Sequence, residues 1–290
     1  MYDAVVIGGG PAGVSASLYL KRANLNVSLF YTRDSNVSYA HMIDNYYGFP
    51  NGISGEDLYK NGIEQAKNLG VNVSLEEVIK IENFGKKFAI KTEKGDYETF
   101  SVILATGDKK VKPNIAGLKE FEGKGVSYCA ICDAFFYKGK DVCIIGNGKF
   151  ALSEAEELKN VAGSVTILTN GEKLEESRSN EFNVIDKKIK SLNGDTRLTS
   201  VTFEDDENKE INGAFVALGE ASASDFAKTL GVLQDGENIK VNENMETNIK
   251  GIYACGNITG GLKQVSKAVY DGTKAGLSCI NYVRNLKKEN

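Results

Sequence analysis

Two glycine-rich turns, each preceded by a short apolar run, are the features of this sequence that most constrain its fold. Residues 8–13 read Gly-Gly-Gly-Pro-Ala-Gly after the apolar run 4–7, and residues 146–151 read Gly-Asn-Gly-Lys-Phe-Ala after the run 142–145. In such turns one glycine permits the tight bend, one lets backbone approach a pyrophosphate, and one allows close helix–strand packing. The following helix N-terminus offers free N–H groups to the phosphates. The sequence therefore predicts two dinucleotide-binding β-α-β units.

The hydrophobic pattern predicts an α/β fold made of two Rossmann-like, doubly wound, three-layer domains. The predicted elements are strands at 4–7, 27–30, 71–75, 78–81, 87–92, 101–107, 142–145 and 165–168, with helices at about 14–23, 55–69, 150–161 and 264–286. Because a strand typical of the first domain returns near residue 252, the second domain is expected to be an insertion. The expected domains are 1–113 with 241–290, and 114–240.

Two cysteines lie between the glycine-rich turns, in the run 127–133 that reads Ser-Tyr-Cys-Ala-Ile-Cys-Asp. Cys129 and Cys132 can close a small, easily reduced disulfide, and Asp133 offers a carboxyl group next to the emerging thiols. A helix cap is the alternative role for Asp133, and it is compatible with acid chemistry. A zinc site would need a second Cys or His pair at ligand spacing, so no metal is predicted. A dithiol between two dinucleotide folds indicates a flavin-driven disulfide reductase.

Composition narrows the class of protein further. The chain has 290 residues, a net charge of −4 and no apolar run of membrane-span length, so neither nucleic acid nor membrane is an expected partner. The sequence enters its first strand without a basic leader, and its odd number of cysteines is not typical of a secreted disulfide framework, so a cytoplasmic location is expected. His41, the only histidine, is expected at the surface. The remaining cysteines are expected to fill the core: Cys143, Cys255 and Cys279.

With these residues laid out, the chain resembles the low-molecular-weight thioredoxin reductases over essentially its full length. Its Cys-Ala-Ile-Cys-Asp run is close to that family's Cys-Ala-Thr-Cys-Asp, and residues 45–50 are similar to the family's flavin-contacting segment. Residues 105–107 resemble its glycine turn, and residues 256–257 with 263–265 its C-terminal flavin clamp.

This resemblance implies FAD as the cofactor, a homodimer, and thioredoxin or a thioredoxin-like protein as the partner. It also implies that Cys132 is the sulfur nearer the flavin, that Cys129 attacks the partner's disulfide, and that Asp133 protonates the leaving thiolate. The residues implied to bind FAD are Gly8, Gly10, Ala12, Gly13, Asn45, Thr106, Gly107, Gly256, Asn257, Lys263, Gln264 and Val265.

The FAD-binding part departs from the family's pattern at three places. The acid that usually ends the second strand and binds the adenosine ribose is absent, since Phe30 is followed by Tyr-Thr-Arg. The flavin-binding Gly-Gly-Gln is replaced by Asp-Ser-Asn at 34–36, and the ribityl-binding Gly-Asp by Gly256-Asn257. Asparagine can still accept a hydrogen bond, so FAD binding is still expected. Because the ribose-binding acid and the Gly-Gly-Gln are missing, its affinity is expected to be modest.

The second glycine turn departs in a way that concerns the electron donor. Family members that use NADPH carry a His-Arg-Arg cluster after the corresponding strand. Here residues 169–176 contain three glutamates, Glu172, Glu175 and Glu176, which oppose a 2′-phosphate. Lys149 and Phe150 occupy turn positions that are usually small. These losses resemble the ferredoxin-linked, pyridine-nucleotide-independent branch of the family, and the basic run of Lys109, Lys110 and Lys112 is the candidate face for an acidic ferredoxin.

Two other interpretations stay open at this point. The first is reduction of thioredoxin with NADH or NADPH as donor, since NADH lacks the 2′-phosphate that the arginines bind. The second is a flavoprotein without turnover that serves as a redox sensor or binding module; the intact dithiol and Asp133 favour catalysis over it.

Overall fold

The structure is a computed structural model that describes residues 1–32, 35–107, 114–128, 130–174, 181–219, 223–236 and 238–288, without the side chains of residues 131 and 132. The chain divides into two compact units, Met1–Lys109 with Ser222–Asn290, and Lys110–Ala221. The described residues between 223 and 239 belong to the first unit and not, as expected, to the inserted one.

The helices and strands follow one another in α/β order. The first segment contains β1 (Ala4–Ile7), α1 (Pro11–Arg22), β2 (Val27–Tyr31), α2 (Gly55–Asn68), β3 (Asn72–Leu75), β4 (Val78–Asn83), β5 (Phe88–Thr92), β6 (Asp96–Thr99) and β7 (Val102–Leu104). The second unit contains β8 (Val126–Ser127), α3 (Ala130–Asp133), β9 (Asp141–Ile145), α4 (Lys149–Lys159), β10 (Ser164–Leu168), β11 (Asn183–Ile185), β12 (Ile189–Gly194), β13 (Leu198–Phe203), β14 (Asn208–Glu210) and β15 (Gly213–Val216). The last segment contains α5 (Ala223–Leu230), β16 (Gln234–Asp235), β17 (Asn238–Ile239), β18 (Ile252–Ala254) and α6 (Val265–Lys288).

A parallel five-stranded sheet in the order β18-β7-β1-β2-β3 forms the centre of the first unit. Ile7 pairs in register with Leu104, and Leu104 pairs with Ala254, so three strands end side by side. The residues after these strands therefore meet at the carboxyl edge of the sheet, where α/β folds bind their ligands. Two antiparallel sheets, β4-β5-β6 and β16-β17, also belong to this unit. Helix α5 packs on β4, and β17 packs on the turn that begins at Gly256, which explains why they belong to this unit.

The second unit repeats the arrangement with a parallel sheet in the order β11-β10-β9-β15-β8, next to the antiparallel sheet β12-β13-β14. Leu168 and Val216 both pair with Ile145, so the second glycine turn also lies at a carboxyl edge. β8 pairs with β15 at the edge of this sheet, and the dithiol segment follows β8 directly. The predicted fold class, two Rossmann-like α/β units, is confirmed.

The cores match the apolar runs of the sequence. Cys143, Cys255 and Cys279 are fully buried with free thiols, which confirms their predicted role as core residues. Burial raises the pKa of Cys143 and of Cys279 to about 12, so both thiols stay protonated and inert at neutral pH. His41 is exposed, as predicted. Among the described residues, the helices are all too short or too polar to cross a membrane.

Candidate active site

The glycine turn of the first unit is shaped by two close backbone approaches. A Cβ on Gly8 would lie 2.3 Å from the carbonyl oxygen of Ala105, and one on Gly13 would lie 1.9 Å from the carbonyl oxygen of Gly8. Gly8 also has φ +117°, in the region that favours glycine. These two glycines therefore bring β1, β7 and α1 together, and no larger side chain fits at either position.

Gly10 has a different environment. It is the N-cap of α1, with Pro11 at the first helical position, and its backbone is extended (φ −72°, ψ 179°). Among the described residues, a Cβ there would have only the Ser35 hydroxyl oxygen within 4 Å, at 3.4 Å. The turn thus presents bare backbone and the first N–H groups of a helix to an open side, which is the arrangement that a dinucleotide pyrophosphate needs. The residues of this turn fit FAD.

Because the two glycines differ, their alanine variants should differ as well. We expect Gly10→Ala to leave the free energy of unfolding within about 0.5 kcal/mol of the parent protein. Its FAD affinity should fall about tenfold, since the methyl group occupies the approach of the phosphates. Gly13→Ala should instead destabilise the fold itself by a few kcal/mol, through the overlap with the Gly8 carbonyl. Thermal unfolding of the apoprotein and FAD titration measure both effects; a Gly10→Ala protein with unchanged affinity would contradict the assignment.

The C-terminal clamp residues lie beside this turn. A Cβ on Gly256, which has φ +81°, would lie 2.9 Å from the Ala12 side chain. Asn257 lies in the 3₁₀ turn that starts at Gly256, and its carbonyl oxygen accepts a hydrogen bond from the Gly260 N–H at 2.9 Å. The structure therefore brings Ala12, Gly256 and Asn257 to the same edge of the first sheet.

An ion pair that sequence reasoning missed holds this 3₁₀ turn. Lys267 Nζ lies 2.7 Å from Asp271 Oδ2, and it donates to the carbonyl oxygens of Gly256 at 2.8 Å and Gly260 at 2.7 Å. The buried Asp271 carboxylate also accepts from the Gly256 N–H at 3.2 Å. The i,i+4 spacing of a lysine and an aspartate at the start of a predicted helix was the available signal.

The other predicted cofactor residues lie in the segments around residue 45, just after β7 and just before α6. Asn45 Nδ2 donates to Gln264 Oε1 at 3.3 Å, so these two residues, far apart in sequence, are brought together. Gln264 and Lys263 precede α6, whose first residue is Val265. Thr106 follows β7 and its Oγ1 accepts from the Ala223 N–H at 3.1 Å, while Gly107 has φ +77°.

The second glycine turn keeps the backbone arrangement of a nucleotide-binding site, but the helix that follows it does not begin with small residues. A Cβ on Gly146 would lie 2.0 Å from the Ala217 carbonyl oxygen, so strand and loop approach as closely as in the first unit. Gly148 is the N-cap of α4, and Phe150 in the first turn of that helix is buried. An aromatic side chain is therefore packed where a nucleotide-binding helix usually begins with small residues.

The loop after β10 closes on itself. Asn170 and Gly171 have φ values of +55° and +85°, which makes a tight turn. Thr169 Oγ1 donates to the Glu172 carbonyl oxygen at 2.5 Å, and Asn170 Oδ1 accepts from the Ile189 N–H at 2.8 Å. The polar side chains that would face a ribose are thus engaged within the protein. Glu175 and Glu176 lie outside the described residues.

The dithiol segment follows β8. Cys129 lies outside the described residues, and Cys132 lies within α3, with its side chain undescribed. Asp133 Oδ2 accepts a hydrogen bond from the Ser127 hydroxyl at 2.6 Å. Asp133 also precedes the 3₁₀ turn Ala134–Tyr137, but its side chain makes no capping bond there. The helix-cap alternative is therefore wrong, and the carboxylate is held beside the dithiol helix by Ser127.

Two exposed phenylalanines stand next to the dithiol helix and were missed by sequence reasoning. Phe135 and Phe136 are 79% and 67% exposed, whereas Tyr137 in the same turn is buried against Phe215, with ring centroids 5.2 Å apart. Burial and the Asp133 carboxylate raise the pKa of Tyr137. Since Tyr137 anchors the turn, its neighbours present a fixed apolar surface to solvent. Such a surface is typical of a protein-binding site.

Comparison with known proteins agrees with this architecture. A model of the family described as pyridine nucleotide-disulphide oxidoreductase matches residues 2–272. The class that the fold and the site define is therefore a disulfide oxidoreductase with two dinucleotide folds.

Individual relatives narrow the class. Thioredoxin reductase of Bacillus subtilis is 32% identical over 99% of this chain and 96% of its own. The atypical thioredoxin reductase of Desulfovibrio vulgaris Hildenborough is 38% identical, with a TM-score of 0.94 over 98% of this chain and 99% of that one. A ferredoxin-flavin thioredoxin reductase of Clostridium acetobutylicum is 34% identical, with a TM-score of 0.74 over 98% of both chains. The chain belongs to the low-molecular-weight thioredoxin reductase family, and its cofactor is the FAD that this family binds.

Proposed function

We propose that this flavin-dependent disulfide oxidoreductase reduces thioredoxin, or a thioredoxin-like protein, through Cys129 and Cys132, with electrons from ferredoxin. The observation that carries the proposal is the dithiol segment: a Cys-x-x-Cys motif, a carboxylate fixed by Ser127, and two adjacent exposed phenylalanines. Proteins related to the chain over nearly its whole length bear the name thioredoxin reductase.

In this proposal the first unit binds FAD and the second carries the dithiol. The FAD-binding residues are Gly8, Gly10, Ala12, Gly13, Asn45, Thr106, Gly107, Gly256, Asn257, Lys263, Gln264 and Val265. FAD, when bound, supplies the two-electron chemistry that reduces the Cys129–Cys132 disulfide. The open backbone at Gly10 and the turn held by Lys267 support this division of roles.

The chain's own residues then perform a thiol–disulfide exchange. The Cys129 thiolate attacks one sulfur of the partner's disulfide, which forms a mixed disulfide and releases a partner thiolate. Asp133 protonates that leaving thiolate as a general acid. Cys132 next attacks the sulfur of Cys129, so the Cys129–Cys132 disulfide forms again and the second partner thiol leaves. Two electrons pass to the partner, and the chain returns to its oxidised form.

We expect the phenylalanine pair to form part of the docking surface for thioredoxin. Replacing both Phe135 and Phe136 by Ser should raise the KM for thioredoxin about tenfold, since exposed aromatic residues often carry much of the binding energy of an interface. Turnover of a small aromatic disulfide, which needs no docking surface, should stay near the parent value. Phe84→Ser, at a residue 69% exposed in the first unit, is the matched control. Equal losses with both substrates would contradict the docking role.

The proposed donor rests on the second glycine turn. Buried Phe150 and the self-bonded turn at Thr169–Glu172 leave little provision for a nicotinamide nucleotide. A related protein of known structure bears the name ferredoxin-flavin thioredoxin reductase. The candidate ferredoxin face, Lys109, Lys110 and Lys112, lies outside the described residues and stays a prediction.

NADH or NADPH is the second candidate donor. The retained strand-turn-helix of the second unit, with Gly146 tight against Ala217, favours it. A redox sensor without turnover is the less favoured alternative. Asp133, fixed beside the dithiol, and the adjacent exposed phenylalanines suit repeated thiol–disulfide exchange with a protein partner. The homodimer and the cytoplasmic location stay predictions.

A further inference from the structure

Helix α4 carries a buried carboxylate that contacts the dithiol helix α3. Glu154 lies in the middle of the helix and is 7% exposed. Its Oε2 accepts a hydrogen bond from the backbone N–H of Ala130 at 2.6 Å, the first residue of α3. Ala130 follows Cys129 directly in the chain, so this carboxylate lies beside the dithiol motif.

We infer that Glu154 is a positioning residue that fixes the start of the dithiol helix and makes its dithiol a stronger reductant. The inference rests on the proposed function, in that Cys129 and Cys132 are the redox pair. It also assigns a structural role to α4. This helix follows the altered second glycine turn, and through Glu154 it holds the first residue of the dithiol helix α3.

The surroundings of Glu154 disfavour the ionised form of the dithiol. A backbone N–H next to a cysteine can stabilise the thiolate, but here that N–H is bonded to a carboxylate. A carboxylate nearby also disfavours a second negative charge. Reduction of the disulfide takes up two electrons and two protons, and the product gains stability if a thiol ionises. A pair whose thiolate is disfavoured therefore has a lower reduction potential, the reverse of strongly oxidising pairs with a stabilised reduced form.

The effect of Glu154 can be tested separately from that of the other charged groups near the dithiol helix. Asp133 lies at the opposite end of α3 from Ala130, and its carboxylate accepts a hydrogen bond from the Ser127 hydroxyl in β8. Glu156 and Glu157 lie on α4 and are half-exposed. Glu157→Gln removes one charge from the same helix and is the matched control.

The test compares Glu154→Gln with Glu154→Ala. The amide of glutamine still accepts the Ala130 hydrogen bond but carries no charge, so it separates the electrostatic role from a merely structural one. The dithiol–disulfide equilibrium is measured in dithiothreitol redox buffers at a pH of about 8.5, with mass spectrometry of alkylated Cys129 and Cys132. For Glu154→Gln we expect a shift toward the dithiol of about fivefold, which is about 20 mV for a two-electron couple. The pH dependence of alkylation should show the pKa of the Cys129 thiol lowered by about one unit.

The control Glu157→Gln should match the parent protein in both measurements. Glu154→Ala should shift the equilibrium as well and should lower the melting temperature, because the N–H loses its partner. A Glu154→Gln protein with the parent's equilibrium and the parent's alkylation profile would overturn the inference. The measurement needs neither thioredoxin nor an electron donor, so a chain that fails to reduce thioredoxin would refute the proposed function without deciding this one.

Discussion

Replacing Cys129 or Cys132 by Ser abolishes the reduction of thioredoxin in our account, with a loss on the order of 1,000-fold or more for either variant. Each cysteine is indispensable because Cys129 makes the mixed disulfide and Cys132 resolves it. Serine removes the nucleophile while nearly preserving volume, so the fold and the FAD content should stay intact.

The two serine variants should differ in the partial reaction that each still performs. Reduction of the bound flavin by an artificial donor should proceed in both, because it precedes the dithiol step. Cys129→Ser should lose any mixed disulfide with thioredoxin, whereas Cys132→Ser should trap one. Stopped-flow absorbance and non-reducing electrophoresis separate these outcomes. As a control, Cys143→Ala should keep most of its activity, since Cys143 is buried in the core with its thiol protonated. Full turnover in either serine variant would refute the dithiol assignment.

The second large effect is the dependence of turnover on the electron donor. NADPH should support turnover at least about 100-fold less well than reduced ferredoxin, because Glu172, Glu175 and Glu176 stand where NADPH-dependent relatives carry the basic cluster that binds the 2′-phosphate. Ferredoxins are strongly acidic, so their docking to this chain of net charge −4 requires a local basic face. Lys109, Lys110 and Lys112 are the densest basic run near the expected boundary between the domains.

Electrostatic docking has a recognisable dependence on salt. The screening length falls from about 10 Å at 0.1 M to about 3 Å at 1 M, so ferredoxin-driven turnover should drop about tenfold or more over that range. Lys109/Lys110/Lys112→Glu should lower it further at low salt and remove most of the salt dependence. A triple substitution at Lys86, Lys87 and Lys91, on and before β5, is the matched control for total charge. Turnover that does not respond to salt would exclude this docking mode.

The sequence predicted those residues of the site whose role depends on close approach of the backbone. Gly8 and Gly13 could be assigned because a strand, a turn and a helix cannot meet so closely with any side chain present. In the structure an added Cβ would lie only 2.3 Å and 1.9 Å, respectively, from the nearest carbonyl oxygen. The family resemblance assigned Asn45 and Gln264 to one FAD site but did not predict the hydrogen bond between them, since nothing local in either segment points to the other.

Side chains whose role depends on tertiary packing were missed. A glutamate in a helix is typical of a solvated face, so Glu154 gave no signal, and only the packing of α3 on α4 shows its contact with Ala130. Phe135 and Phe136 belong to an apolar run that indicates a core; their exposure results from Tyr137, which occupies the available space against Phe215 and Gly213. The domain boundary was missed for a similar reason, because only the tertiary structure shows that α5 packs on β4 of the first unit.

An anaerobic titration of the oxidised holoprotein tests the central claim, electron flow from ferredoxin through FAD to the dithiol, most directly. Flavin absorbance and thioredoxin thiols are followed while reduced ferredoxin, NADPH or NADH is added in turn. We expect reduced ferredoxin, added at two electron equivalents per disulfide, to yield two thiols per thioredoxin disulfide, and further equivalents to bleach the flavin, while either nicotinamide nucleotide should leave the flavin oxidised over the same time. Rapid bleaching by NADPH or NADH at micromolar concentration, with ferredoxin inert, would contradict it.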